Sequence, residues 1–148
     1  MKRLFALIFI ATAFTLSARA QSSYKTALGV RLSSSVPAIK NGVSFKQFIG
    51  KNAFEAILSF GDGTALAGLY EIHKPLGVPN LQWLIGAGGY VGFSNEDKKF
   101  GAAGIIGVDF KVPTLPVNLT LDWKPELNIV SKVGFEASGV GFSARYTF

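Results

Sequence analysis

The chain of 148 residues contains no cysteine. No disulfide can brace it, and no thiolate can act as nucleophile or metal ligand. His73 is the only histidine, which excludes a zinc site built from several imidazoles. Charge is scarce too: 16% of residues are charged, against about a quarter in an ordinary soluble domain. Outside the N-terminus there is no apolar run of the roughly 20 residues that a transmembrane helix requires. Yet 49% of the residues are hydrophobic and the mean hydropathy is +0.34. A chain this greasy, with no helix to place in a bilayer, must dispose of its apolar side chains in another way.

The first 20 residues read as a secretory signal peptide. Lys2 and Arg3 precede an apolar stretch from Leu4 to Leu16, and Ser17-Ala18-Arg19-Ala20 ends in a small-x-small pattern. Cleavage after Ala20 leaves one domain, residues 21–148. Losing Lys2, Arg3 and Arg19 lowers the basic count from 15 to 12 against nine acids, so the mature chain carries about +3. No Lys/Arg cluster remains, and a nucleic-acid partner is not expected.

Residues then alternate with a period of two. "YKTALGVRLS" sets Leu28, Val30 and Leu32 against Gly29, Arg31 and Ser33. "VSFKQFIG" is a weaker strand, with Val43, Phe45 and Ile49 sharing a face with Gln47. "NAFEAILSFG" sets Phe54, Leu58 and Phe60 against Glu55, Ile57 and Ser59, and "TALAGLYEIH" sets Leu66, Tyr70 and Ile72 against Leu69, Glu71 and His73. "LQWLIGAGGYVGF" opposes Trp83, Ile85 and Val91 to Leu84, Gly86, Gly88 and Tyr90. "FGAAGIIGVDF" opposes Ile106, Val108 and Phe110 to Ile105, Gly107 and Asp109. "VNLTLDWKPEL" puts Val117, Leu119, Leu121 and Trp123 opposite Asn118, Thr120, Asp122, Lys124 and Glu126. "VGFSARYTF" puts Val140, Phe142, Ala144, Tyr146 and Phe148 opposite Gly141, Ser143, Arg145 and Thr147. Pro125, late in the seventh strand, predicts a bulge or the strand's end.

Eight strands in about 128 residues predict an all-β, antiparallel, up-and-down barrel. Such barrels come in two inverse forms: a soluble one with its apolar face around a ligand, and a transmembrane one with that face turned to lipid. The minority faces carry Arg31, Glu55, Glu71, Asp109, Asp122, Lys124, Glu126 and Arg145, of both signs, beside glycine and serine. An eight-stranded interior is narrow, and pairs of opposite charge among small residues fit it. The expectation is therefore a transmembrane barrel with a polar, plugged lumen and the aromatic rows outside.

The closing "GFSARYTF", with Val140, Phe142, Ala144, Tyr146 and Phe148 at alternate positions, resembles the last strand of small bacterial outer-membrane β-barrel proteins, the porin-like, OmpX-like eight-stranded kind of Gram-negative cells. "LYEIHKPLG", "GAGGYVGF" and "NLTLDWKPELN" are similar to stretches of such proteins. The resemblance implies a place in the cell outer membrane and a last strand read by the barrel-assembly machinery. It also implies periplasmic termini, so that "SSVPAIKNG", "GDG", "SNEDKK" and "NIVSKVGFEASG" become the outer loops. Outer-membrane lipid is then the standing partner, and a monomer is expected.

Catalysis is not expected, nor any metal or cofactor. Glu71 and His73 share a face, as in acid–histidine hydrolases. Some small outer-membrane barrels modify lipid with catalytic histidines, but His73 precedes the turn "KPLG" on the periplasmic side, and no G-x-S-x-G accompanies it. An interfacial or turn-proximal histidine is the plainer expectation. "SNEDKKF" lacks the spacing of a calcium loop, and "GAGGYVG" lacks the lysine and helix of a phosphate loop. The function expected is structural or surface-interacting, with two alternatives: a barrel binding or transporting a small hydrophobic solute, or a lipid-modifying enzyme.

Overall fold

A computed structural model describes residues 24–34, 38–130 and 132–148. The expected signal peptide, residues 1–20, lies outside them. Ten strand segments form: β1 (Thr26–Ser33), β2 (Gly42–Ile49), β3 (Asn52–Phe60), β4 (Thr64–Pro75), β5 (Leu81–Phe93), β6 (Lys98–Lys111), β7 (Val117–Trp123), β8 (Glu126–Asn128), β9 (Gly134–Glu136) and β10 (Val140–Thr147). Each pairs antiparallel with its neighbours, and β10 closes on β1 through Ala27↔Thr147 to Ser33↔Gly141. The result is a closed eight-stranded antiparallel barrel in which β7–β8 and β9–β10 act as two interrupted strands.

Pro125 causes both interruptions. Its ring has no N–H to donate, although its carbonyl still accepts from the Gly104 N–H at 2.9 Å. Against β6 the register is unbroken: Ile106 faces Trp123 and Ala103 faces Glu126. Against the last strand it slips, because Trp123 faces Val140 whereas Glu126 faces Glu136. The expected bulge therefore exists, but its extra residue lies in the segment opposite the proline, at 137–139.

Followed round the wall from Thr26 through Gln47, Phe54, Tyr70, Ala87 and Gly104 to Pro125, the ladder climbs by about ten residues on returning to β1. With strands about 4.8 Å apart and about 3.3 Å of rise per residue, that stagger tilts the strands by about 40°. Tilt sets which residues share a level. Lys46, Glu71 and Asp109 are far apart in sequence yet meet inside.

Alternation divides the wall cleanly. Leu121 and Trp123 are 53% and 41% exposed on the outside, while Asp122 and Lys124 between and beyond them are 3% and 2% exposed within. The same parity leaves Val30, Phe54, Phe60, Leu66, Ile85, Phe142 and Phe148 on the exterior. The interior is more mixed than the charges alone predict. Ile57, Leu69, Leu84, Tyr90, Ala103 and Ile105 form a buried apolar cluster on the β3–β6 side.

Candidate functional site

The site with chemistry in it is the lumen. All eight charged residues expected there, Arg31, Glu55, Glu71, Asp109, Asp122, Lys124, Glu126 and Arg145, are buried. They form layers along the barrel axis. We call the end that holds Tyr24 and Phe148 the lower end.

In the lowest layer Lys46 Nζ lies 2.7 Å from Glu71 Oε2 and 3.1 Å from Asp109 Oδ2. His73 Nε2 lies 2.9 Å from the same Glu71 oxygen. Asp109 also accepts from Thr120 Oγ1 at 3.1 Å, from the Asn118 amide, and from the Tyr24 hydroxyl at 3.4 Å. The middle layer is built on Arg145. Its guanidinium donates to Glu55 Oε1, to Ser44 Oγ at 2.6 Å, to Asn118 Oδ1 at 3.0 Å and to Thr120 Oγ1 at 2.6 Å. Ser44 in turn donates to Glu55 Oε1 at 2.6 Å. In the next layer Arg31 grips Asp122 with two parallel bonds of 2.6 and 2.7 Å, the fork geometry that makes arginine–carboxylate pairs strong. Gly141 makes room for that grip: a Cβ there would stand 2.0 Å from Arg31 Nη2.

Lys124 is the loosest member. Its Nζ is 3.9 Å from Glu55 Oε2, and neither atom has a hydrogen-bond partner. Glu126, one turn of alternation higher, does not join the ion pairs. Its carboxylate accepts the backbone N–H of Ala38 at 3.2 Å and of Ile39 at 3.0 Å. The Ser59 hydroxyl donates to the Ala38 carbonyl at 3.2 Å. Ala38 and Ile39 thus fold into the barrel mouth, where Ile39 completes the apolar cluster. Above it lies an open vestibule of about 360 Å³ lined by Lys40, Asp62, Ser94, Asn95, Glu96 and Asp97, among others. There the Lys40 ammonium hydrogen-bonds Asp62 and holds its carboxyl below the usual range.

Two placements correct the sequence reading. Lys46, fully buried at the centre of the lowest layer, was not among the expected lumen residues. Its position between Phe45 and Gln47 fixes its parity, but the polar Gln47 on the outer face blurs the pattern. His73 is turn-proximal as expected, near the end of β4, but it does not reach the surface. It is buried, partnered by Glu71, with the Phe48 ring 4.9 Å away. The Ala38–Ile39 plug was also missed, although two apolar residues inside an otherwise polar connection were its signal.

Chemically the arrangement neutralises itself. Each cation but Lys124 is bonded to a carboxylate, and His73 meets an acid rather than a serine. Among the described residues, no group of three or more His, Asp or Glu side chains is placed to hold a metal ion. No protein-family model matches this chain, and no curated protein matches it either.

Proposed function

We propose that the chain is an integral outer-membrane β-barrel protein with a structural role in the envelope, a plugged lumen and no catalysis. One observation carries this reading. The exterior of the closed wall is a continuous apolar surface, and the interior holds nine acidic and basic side chains with His73. A soluble barrel of this composition would leave its Leu, Phe and Trp rows in water, an area far beyond the few hundred Å² of apolar patch that a monomer tolerates. Lipid removes that penalty, and only a closed ladder lets strands enter lipid with their backbone groups paired.

The plug supports a structural rather than a conducting role. A solute would have to displace Ile39, then the Arg31–Asp122 fork, then the Arg145 layer. Breaking any buried pair of this kind costs about 3–5 kcal/mol. The row Val140, Phe142, Ala144, Tyr146 and Phe148 lies along β10 and its end, with the Tyr146 and Phe148 rings 5.0 Å apart. In this reading it is the signal handed to the barrel-assembly machinery, outer-membrane lipid is the partner, and the protein is a monomer. A lipid-modifying role would need an accessible nucleophile beside His73, whose neighbours Glu71 and Phe48 enclose it instead.

Cell fractionation with heat-modifiable gel mobility tests the reading. The protein is expected in the outer-membrane fraction, migrating faster before boiling than after. Recovery as a soluble periplasmic protein would refute it, and clean single-channel steps in planar bilayers would refute the plugged lumen.

A further inference from the structure

The upper end of the barrel is not uniform. The β3–β4 turn is Gly61-Asp62-Gly63, and the β5–β6 turn is Ser94 to Asp97, all polar or glycine. The described apolar residues of the β1–β2 connection, Ala38 and Ile39, are turned inward and buried. Only the β8–β9 hairpin differs among the described residues: there Val133 and Phe135 are 79% and 66% exposed, and Leu127, Ile129 and Val130 are exposed beside them.

These residues are not scattered. Two rows of the outer wall run into the hairpin without a polar interruption. One passes from Gly89 to Ala102, Leu127 and Phe135. The other passes from Val91 to Phe100 and on to Ile129, whose N–H donates to the Phe100 carbonyl at 2.9 Å. The opposite face of the hairpin is polar: Glu126 meets Glu136, and Asn128 meets Gly134. Asn128 also ties the tip, donating to the carbonyls of Val130 at 2.8 Å and Lys132 at 3.1 Å. The hairpin is therefore a two-faced sheet extension, and its apolar face is continuous with the apolar wall.

Height decides how far that face reaches. Strands lengthen round the barrel from 8 residues in β1 and β2 to 14 in β6. At about 2.5 Å of axial rise per tilted residue, the apolar column from Val117 to Ile129 stands about 30 Å tall, against the ~25 Å belt of an outer-membrane barrel. On β1 the column ends at Leu32, and Ser34 follows in water. The excess on the hairpin side brings Phe100 and Phe135 to the level where aromatic girdles sit.

We propose that the β8–β9 hairpin is seated in lipid, its Leu127, Ile129, Val133 and Phe135 face resting on the acyl chains of the leaflet at the barrel's upper end. The proposal rests on the membrane reading above and adds to it a specific lipid contact beyond the barrel wall. The polar face then looks over the mouth, where Glu126 holds the plug, so lipid packing braces the hairpin that carries the latch.

The absence of cysteine makes the test clean. Phe135→Cys, Val133→Cys, Leu121→Cys and Asp62→Cys are each made in the full mature chain, reconstituted in phosphatidylethanolamine–phosphatidylglycerol vesicles and labelled with a nitroxide. Relaxation by oxygen reports lipid, and relaxation by a water-soluble nickel chelate reports water. Leu121 marks mid-wall, and Asp62, whose side chain is 94% exposed, marks water. The oxygen-to-nickel ratio at 135 and 133 is expected to lie well above that at 62 and toward that at 121, as for side chains at the upper edge of the hydrocarbon. A ratio at 135 and 133 equal to that at 62, with 121 lipid-like, overturns the hairpin proposal and leaves the barrel reading intact. Exclusion of both reagents from 135 and 133 also overturns it, with dipolar broadening between labels identifying a second copy as the cover and its absence a different protein. A water-like ratio at 121 sinks the membrane reading itself.

Discussion

Glu126 tests the plug most directly. Its two carboxylate oxygens accept the N–H bonds that tie Ala38 and Ile39 to the wall strand, at 3.2 and 3.0 Å. Replacing it with Gln keeps the volume but swaps one acceptor for a donor facing a backbone N–H. A hydrogen bond to a charged acceptor contributes about 1.5–3 kcal/mol, and an abandoned buried donor costs a similar amount. Against this stands the burial of Ile39, worth about 1.5–3 kcal/mol, which still holds the loop down. Glu126→Gln should therefore weaken the plug without expelling it. At 1.36 kcal/mol per factor of ten, a cost of about 1.5–3 kcal/mol raises the local opening of the loop ten- to a hundred-fold. Amide hydrogen exchange of the protein in detergent micelles or nanodiscs reads this at Ala38 and Ile39, while the β10 amides that pair with β1 keep their wild-type rates. Unchanged exchange at Ile39 would refute the latch. Equal acceleration in β10 would show that Glu126 supports the whole barrel rather than the loop.

Three further outcomes follow from the same geometry. Arg145→Met strands Glu55 and Asn118 in the lumen and should lower the unfolding free energy by about 3–5 kcal/mol in denaturant titrations; adding Glu55→Leu should recover part of the loss, and a double mutant worse than the single would refute the pairing. Leu121→Arg, on the exterior at mid-height, should cost about 2–4 kcal/mol in a lipid bilayer, whereas a soluble barrel would tolerate a surface arginine within about 0.5 kcal/mol. Asp62 should titrate below the unfolded value of about 3.9, because the Lys40 hydrogen bond and charge favour its ionised form; with the folded value depressed, the contact's contribution is full above the unfolded value and is lost as pH falls through the folded one. Carboxyl NMR checks that order, and Lys40→Met should return the midpoint to the ordinary value, with little change in overall stability since the pair is solvent-exposed.

How much of this was legible in the sequence depends on which physical quantity set each feature. Facing direction is local, since successive side chains point to opposite sides of a strand. Once Leu121 and Trp123 are outward, Asp122 and Lys124 can only be inward. That is why eight of the nine charged lumen residues can be read from the sequence, Lys46 being the exception. Level is not local. It comes from the stagger summed round eight strands, so nothing near Lys46 announces Asp109 or Glu71 as its partners, and nothing near His73 says that the barrel extends below it far enough to bury it. The slip opposite Pro125 is of the same kind: the proline marks where pairing fails, but the neighbouring strand absorbs the extra residue, at 137–139. Loop conformation was least legible. "SSVPAIKNG" has the look of a plain connection until a carboxylate 88 residues from Ala38 offers two acceptors to its backbone.

The interior's division into an ionic half and an apolar half explains why the plug belongs where it does. Deeper in the lumen, Arg31, Lys46 and Arg145 bond carboxylates from β3, β4, β6 and β7. On the β3–β6 side, Ile57, Leu69, Leu84 and Ile105 have no ionic partners and would meet water from the open mouth. Ile39 is the cap on that oil, and Glu126 satisfies the two backbone donors that Ile39 and Ala38 would otherwise bring in unpaired. The sequence thus spends one acid of its lumen set on a loop rather than on a cation, and leaves Lys124 with Glu55 at 3.9 Å as its nearest acid. A lumen built only to neutralise charge would pair Lys124 with the neighbouring Glu126. This one does not, because the Glu126 carboxylate is committed to the Ala38 and Ile39 N–H groups at the mouth.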